Sequence, residues 1–132
     1  MKLVFFDDFK LGLLHEGCVV DVSEVVRDLP RTGPHDLING LIRNFDRYKN
    51  DLEAATLWTG VPMSQIRFRP PLPKPVKIIC MAVNYMEFGA RKEPAPINAF
   101  LKSPNAIIGY GDTIVLPDAA ADIFHHEAEL GI

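Results

Sequence analysis

The sequence predicts an α+β fold dominated by β-strands, and three observations carry that reading. Short apolar and β-branched runs broken by turn formers fill residues 2–22 and recur between 76 and 132. One long stretch with helical periodicity lies between them. A segment holding four prolines, RFRPPLPKPVK (67–77), separates the two textures. The organisation that follows is a small N-terminal α/β module over 1–69, a proline-rich linker over 70–76, and the first part of a β-rich domain over 77–132.

Each element has a local cause. KLVFF (2–6), KLGLLH (10–15) and CVVDV (18–22) read as strands split by Asp7-Asp8 and Glu16-Gly17, which makes a small antiparallel meander. DVSEVVRDL (21–29) opens a short helix for which Asp21 or Ser23 is available as the cap. From Thr32 to Trp58, Leu37, Leu41, Phe45 and Tyr48 recur at helical spacing, Leu52 continues the stripe, and Pro34 suits the first turn. Arg43, Asp46, Arg47, Lys49 and Asp51 then form a solvated face. The prolines of 67–77 hold the chain extended, because each fixes its own φ and restrains the residue before it. Arg67, Pro70 and Pro73 also match the RxxPxxP spacing of a polyproline ligand, a pattern short enough to recur by chance. VKIICMAV (76–83) reads as a strand buried on both faces, and NYMEFGARKEPAP (84–96) as a loop. INAFLK (97–102), NAIIG (105–109), DTIVLP (112–117) and DIFHHEAELGI (122–132) read as further short strands of a sandwich or roll.

The bulk composition is that of a soluble globular protein, with 48% apolar and 23% charged residues. A net charge of -3 with interspersed signs gives no electrostatic reason to expect nucleic acid or an anionic membrane as partner. The opening MKLVFFDDFK is cut by Asp7 and Asp8 before it resembles a signal peptide, and no apolar run is long enough to span a bilayer, so the expected location is the cytoplasm. Cys18 and Cys80, far apart and outside any CxxC spacing, are expected to be buried, reduced thiols. GxGxxG, GxxxxGK[ST] and GxSxG are all absent.

The densest chemistry is in FHHEAELGI (124–132). On a strand, His125, Glu127 and Glu129 share one face, while Phe124, His126, Ala128 and Leu130 share the other. Carboxylates at i and i+2 start roughly 6–7 Å apart at the backbone. They can converge on a hard cation such as Mg²⁺ or Mn²⁺, which takes oxygen ligands and keeps waters for a substrate to displace. The same spacing also fits the polar face of a half-buried strand, and a zinc site from His125 and the glutamates is a further alternative, though without the HExxH spacing of a zinc helix. Asp112 follows a turn at Gly111, and Asp118 and Asp122 flank an alanine-rich loop, so none of them completes a ligand set.

KIICMAVNY (77–85), INAFLKSPNAIIGYGDTIVLP (97–117) and FHHEAELGI together resemble the fumarylacetoacetate hydrolase family in order and spacing. Residues 1–75 more weakly resemble the variable N-terminal module of many bacterial members. The resemblance implies a β-roll catalytic fold, usually a homodimer, that holds Mg²⁺ or Mn²⁺ through an ExE pair (here Glu127 and Glu129) and an aspartate further along. It implies β-dicarbonyl or 2-oxo acid substrates, cleaved by acylpyruvate-type hydrolysis, decarboxylated or isomerised. Lys102 in FLKSP stands where the family places a lysine near the active centre, which implies a contact to a substrate carboxylate. Asn84 and Tyr85 match the family's NY, with Tyr85 expected to help position the loop and bind substrate.

Two departures alter these expectations. Where hydrolytic members carry NYxxHxxE, Phe88 stands at the His position and Arg91 at the Glu position, with Glu87 one place off. Neither a phenyl ring nor a guanidinium is a general base at neutral pH, which favours decarboxylation or isomerisation, or a silent relative that only binds an oxo acid. The family's third metal ligand and much of its roll follow the ExE strand, so these 132 residues are expected to be the first part of a longer protein and, as a fragment alone, to lack activity.

Overall fold

β1 (Leu3–Phe6), β2 (Lys10–His15) and β3 (Cys18–Asp21) form the antiparallel meander, with Leu3 opposite Leu13 and Leu13 opposite Val20. The computed structural model describes residues 1–86, 91–93 and 95–132. Glu16 and Gly17 both have positive φ, 47° and 79°, as a two-residue type I′ hairpin turn requires. Gly12 is there for want of space: a Cβ at that position would lie 2.4 Å from Val19 Cγ1.

Residues 22–29 are not the expected helix. They form successive tight turns, in which the amides of Val25, Arg27 and Leu29 each donate to the carbonyl three residues earlier. Val22, Val25 and Val26 lose side-chain freedom in a helix, and Pro30 ends the segment. Asp21 caps the first turn by accepting the Ser23 amide at 3.0 Å, while Ser23 Oγ accepts the Leu11 amide of β2.

The long helical stretch is two helices, α1 (Pro34–Arg43) and α2 (Phe45–Ala54). Pro34 occupies the first turn of α1, and Asp36 reaches back to accept the Thr32 amide and hydroxyl. The break falls at Asn44, whose side chain donates to the Gly40 carbonyl at 2.8 Å, a local bond that competes with helix continuation. The apolar stripe lies where the periodicity places it: Leu37, Leu41, Tyr48 and Leu52 are buried with Phe5, Leu11, Leu13 and Val20 of the sheet, and Phe45 packs at the margin.

Two short strands complete this sheet, β4 (Val61–Pro62) beside β3 and β5 (Phe68–Arg69) beside β1, in the order β4-β3-β2-β1-β5. Each is two residues long, too short to show a period in sequence. The Asp7 turn fastens β5: its amide donates to the Arg67 carbonyl, and its carboxylate accepts the Arg67 amide. RFRPPLPKPVK thus begins inside the sheet, with Arg67 already engaged.

β6 (Ile78–Met81) and β7 (Ala99–Lys102) form a separate antiparallel pair, with Ile78 opposite Lys102 and Met81 opposite Ala99. β6 is not buried on both faces as its composition suggests: Ile78 and Cys80 are half-buried, whereas Ile79 and Met81 are exposed. Residues 104–106 form a 3₁₀ turn capped by Ser103, and 107–109, 112–117 and 122–132 are not strands. An extended segment becomes a strand only where a neighbour supplies a hydrogen-bonding ladder, and among the described residues β6 and β7 pair only with each other. The molecule is a mixed α+β structure in which sheet dominates. Cys18 and Cys80 are free and half-buried rather than buried. No helix among the described residues is long and apolar enough to cross a membrane.

Candidate active site

The β6–β7 ladder continues one step beyond the strand, where the Ala82 amide donates to the Asn98 carbonyl at 2.8 Å. The chain then turns sharply at Val83, which has a φ of 54°. That region is costly for a β-branched residue. Asn84 and Tyr85 follow immediately, both exposed. Tyr85 Oη donates to Glu129 Oε2 across 3.3 Å, so two groups 44 positions apart, one from the NY motif and one from the ExE motif, meet.

His125, Glu127 and Glu129 lie on the irregular, exposed segment 122–132 rather than on a strand face. The face assignment made for a strand therefore does not apply. Glu127 and Glu129 are oxygen donors of the kind a hard divalent cation takes, and they are accessible to one. They could offer a cation two ligands; among the described residues no group of three or more His, Cys, Asp or Glu side chains could hold a metal ion.

Lys102 ends β7, exposed, with its ammonium 5.7 Å from the centroid of the Phe100 ring. Phe100 and Lys102 are two residues apart on one strand and share a face. Arg91 is half-buried, and its amide donates to the Met86 carbonyl at 3.4 Å. Glu87 and Phe88 lie outside the described residues.

Asp112 is committed elsewhere. Its Oδ1 accepts Arg67 Nη2 at 2.5 Å and its Oδ2 accepts the Gly109 amide at 2.8 Å. The Arg67 guanidinium, aided by the Gly109 amide, holds its carboxyl below the usual aspartate range. Tyr110 packs edge-on against Phe68, and a Cβ on Gly109 would stand 3.0 Å from the Phe68 carbonyl oxygen. This turn fastens residues 109–112 onto β5, roofing an apolar cleft of about 460 Å³ lined by Leu3, Val4, Leu14, Phe68, Ile108 and Tyr110. Nothing local in the sequence marks the Arg67–Asp112 pair, whose members are 45 residues apart.

No protein-family model matches the chain. It is 34% identical over 132 aligned residues, 93% of its length, to the mitochondrial oxaloacetate tautomerase Fahd2a of Rattus norvegicus. It is 30% identical over 88% of its length to the mitochondrial oxaloacetate tautomerase FAHD2A of Bos taurus. Among solved structures, it matches maleylpyruvate hydrolase from Sphingobium sp. SYK-6, in complex with manganese(II) ion and pyruvate, with a TM-score of 0.76 and 31% identity over 90% of the chain. The chain spans 42% and 37% of the length of the two mammalian relatives and 43% of the bacterial structure.

Proposed function

Because the chain belongs to the fumarylacetoacetate hydrolase family, we propose that it contributes to a divalent-metal-dependent enzyme acting on β-dicarbonyl or 2-oxo acids, with isomerisation or decarboxylation favoured over acylpyruvate-type hydrolysis. The observation that supports this most is the meeting of Tyr85 with Glu129, which draws two of the family's motifs to one place.

Glu127 and Glu129 would hold Mg²⁺ or Mn²⁺. When bound, the cation supplies a Lewis acid that polarises the keto oxygen and offsets the charge that develops beside it. Lys102 offers an exposed ammonium to a substrate carboxylate, while the Phe100 ring beneath it limits where that ammonium swings. Phe88 and Arg91 provide no base with which to activate water, which weighs against hydrolysis. A keto–enol proton shift of the kind named for the rat and bovine relatives needs no water as reactant. A homodimer is the proposed assembly, and the exposed Ile114, Val115 and Leu116 are apolar surface of the kind a protein contact covers. Two free thiols suit a reducing compartment, the cytoplasm being the proposed one, although the mammalian relatives are mitochondrial.

The test is a Mn²⁺ titration read by electron paramagnetic resonance, together with loss of the enol absorbance of oxaloacetate. Replacing both Glu127 and Glu129 by Gln is expected to abolish Mn²⁺ binding and turnover alike. Turnover that survives the double substitution without metal would overturn the reading. The residues at 88 and 91 also admit a silent oxo-acid binder, for which pyruvate would raise the thermal midpoint while no product forms from any oxo acid.

A further inference from the structure

We propose that Tyr85 is a positioning residue for the metal-binding pair: its hydroxyl pre-orients the Glu129 carboxylate for the cation, a task distinct from the substrate contact the motif suggests. The inference rests on the metal reading above and deepens it.

Glu129 sits on an exposed, irregular segment where no ladder restrains it. Ordering such a side chain on a cation costs conformational entropy, and a donor that already restricts it lowers that cost. Tyr85 has one hydroxyl proton to give and gives it to Oε2, and among the described residues Oε1 of Glu129 meets no donor. At 3.3 Å the bond is longer than an ordinary hydroxyl–carboxylate bond, so its effect on affinity belongs at the lower end of what supporting residues of metal ligands contribute.

Two residues before Tyr85, the chain leaves the β6–β7 ladder through a φ of 54° at Val83, where a valine is strained. A chain continuing with strand geometry would carry Tyr85 on along the sheet direction. The chain bends at Val83, and two residues later the Tyr85 side chain lies within reach of Glu129.

The experiment compares Mn²⁺ affinity, pyruvate affinity at saturating Mn²⁺, and thermal midpoint for the unsubstituted chain, Tyr85→Phe and Glu129→Gln. Tyr85→Phe is expected to weaken Mn²⁺ binding about tenfold. The thermal midpoint should not change, since Tyr85 is 54% exposed and the ring is retained. Pyruvate affinity at saturating Mn²⁺ should stay within about twofold. An unchanged Mn²⁺ affinity in Tyr85→Phe, with Glu129→Gln impaired, overturns the positioning role and leaves the metal reading standing. A fall in pyruvate affinity at saturating Mn²⁺ overturns it in favour of substrate contact, and a lowered thermal midpoint overturns it in favour of a structural role. Absence of Mn²⁺ binding in the unsubstituted chain, or full binding in Glu129→Gln, removes the metal reading and this inference with it.

Discussion

Among the carboxylates, the partner each one meets decides what it can do. Glu127 and Glu129 are exposed, and Glu129 meets only the Tyr85 hydroxyl among the described residues. Asp112 is spent on Arg67 and Gly109, and Asp36 on Thr32. Both aspartates are held below their ordinary range by these hydrogen bonds, Asp112 chiefly by Arg67 and Asp36 chiefly by the Thr32 hydroxyl. A carboxyl whose pKa is depressed on folding contributes stability that is fully present above its unfolded value, about 3.9, and is lost as pH falls through the folded value. Asp112→Asn is therefore expected to lower the urea midpoint by a constant amount from pH 7 down to about 4. Below that the difference from the unsubstituted chain should shrink. A difference that stays constant to pH 2 would show that the Arg67–Asp112 pair carries no such linkage.

At the scale of elements, α1 and α2 lie against a five-stranded sheet, whereas among the described residues β6 and β7 pair only with each other. Leu41 is fully buried between helix and sheet, and Leu101 on β7 is 69% exposed. Leu41→Ala should cost about 2–5 kcal/mol of unfolding free energy through lost burial and the cavity left behind. Leu101→Ala should change it by less than about 0.5 kcal/mol. Urea denaturation of both variants checks the contrast. Comparable losses would mean that the β6–β7 pair is held to the core more firmly than its exposure indicates. Among the described residues the β-rich texture after residue 76 yields one short pair where sequence suggests a larger set of strands, and a two-stranded ribbon is marginal by itself.

For the whole molecule, the buried hydrophobic residues run from Phe5 to Ala55 among those described, and the Arg67–Asp112 turn ties the later segment to that body. We propose that residues 1–69 fold as an independent module, since they contain that core and both edge strands of its sheet. A 1–69 fragment is expected to unfold cooperatively in urea, and a broad, non-cooperative transition would count against it. Local sequence by itself determined the meander, the buried stripe Leu37–Leu41–Tyr48–Leu52 and the Glu16-Gly17 hairpin, because strand alternation, helical period and turn chemistry act over a few residues. The ExE pair and the NY motif were also legible there, as residue types in a spacing. Only the tertiary structure decided that β5 grows out of the proline-rich segment, that residues 22–29 turn rather than coil, that Asp112 answers to Arg67, and that Tyr85 reaches Glu129. Contacts of that range depend on which partners the folded chain brings within hydrogen-bonding distance. A strand likewise exists only where a neighbour completes its ladder, and for that reason the segment bearing Glu127 and Glu129 is irregular despite its strand-like sequence.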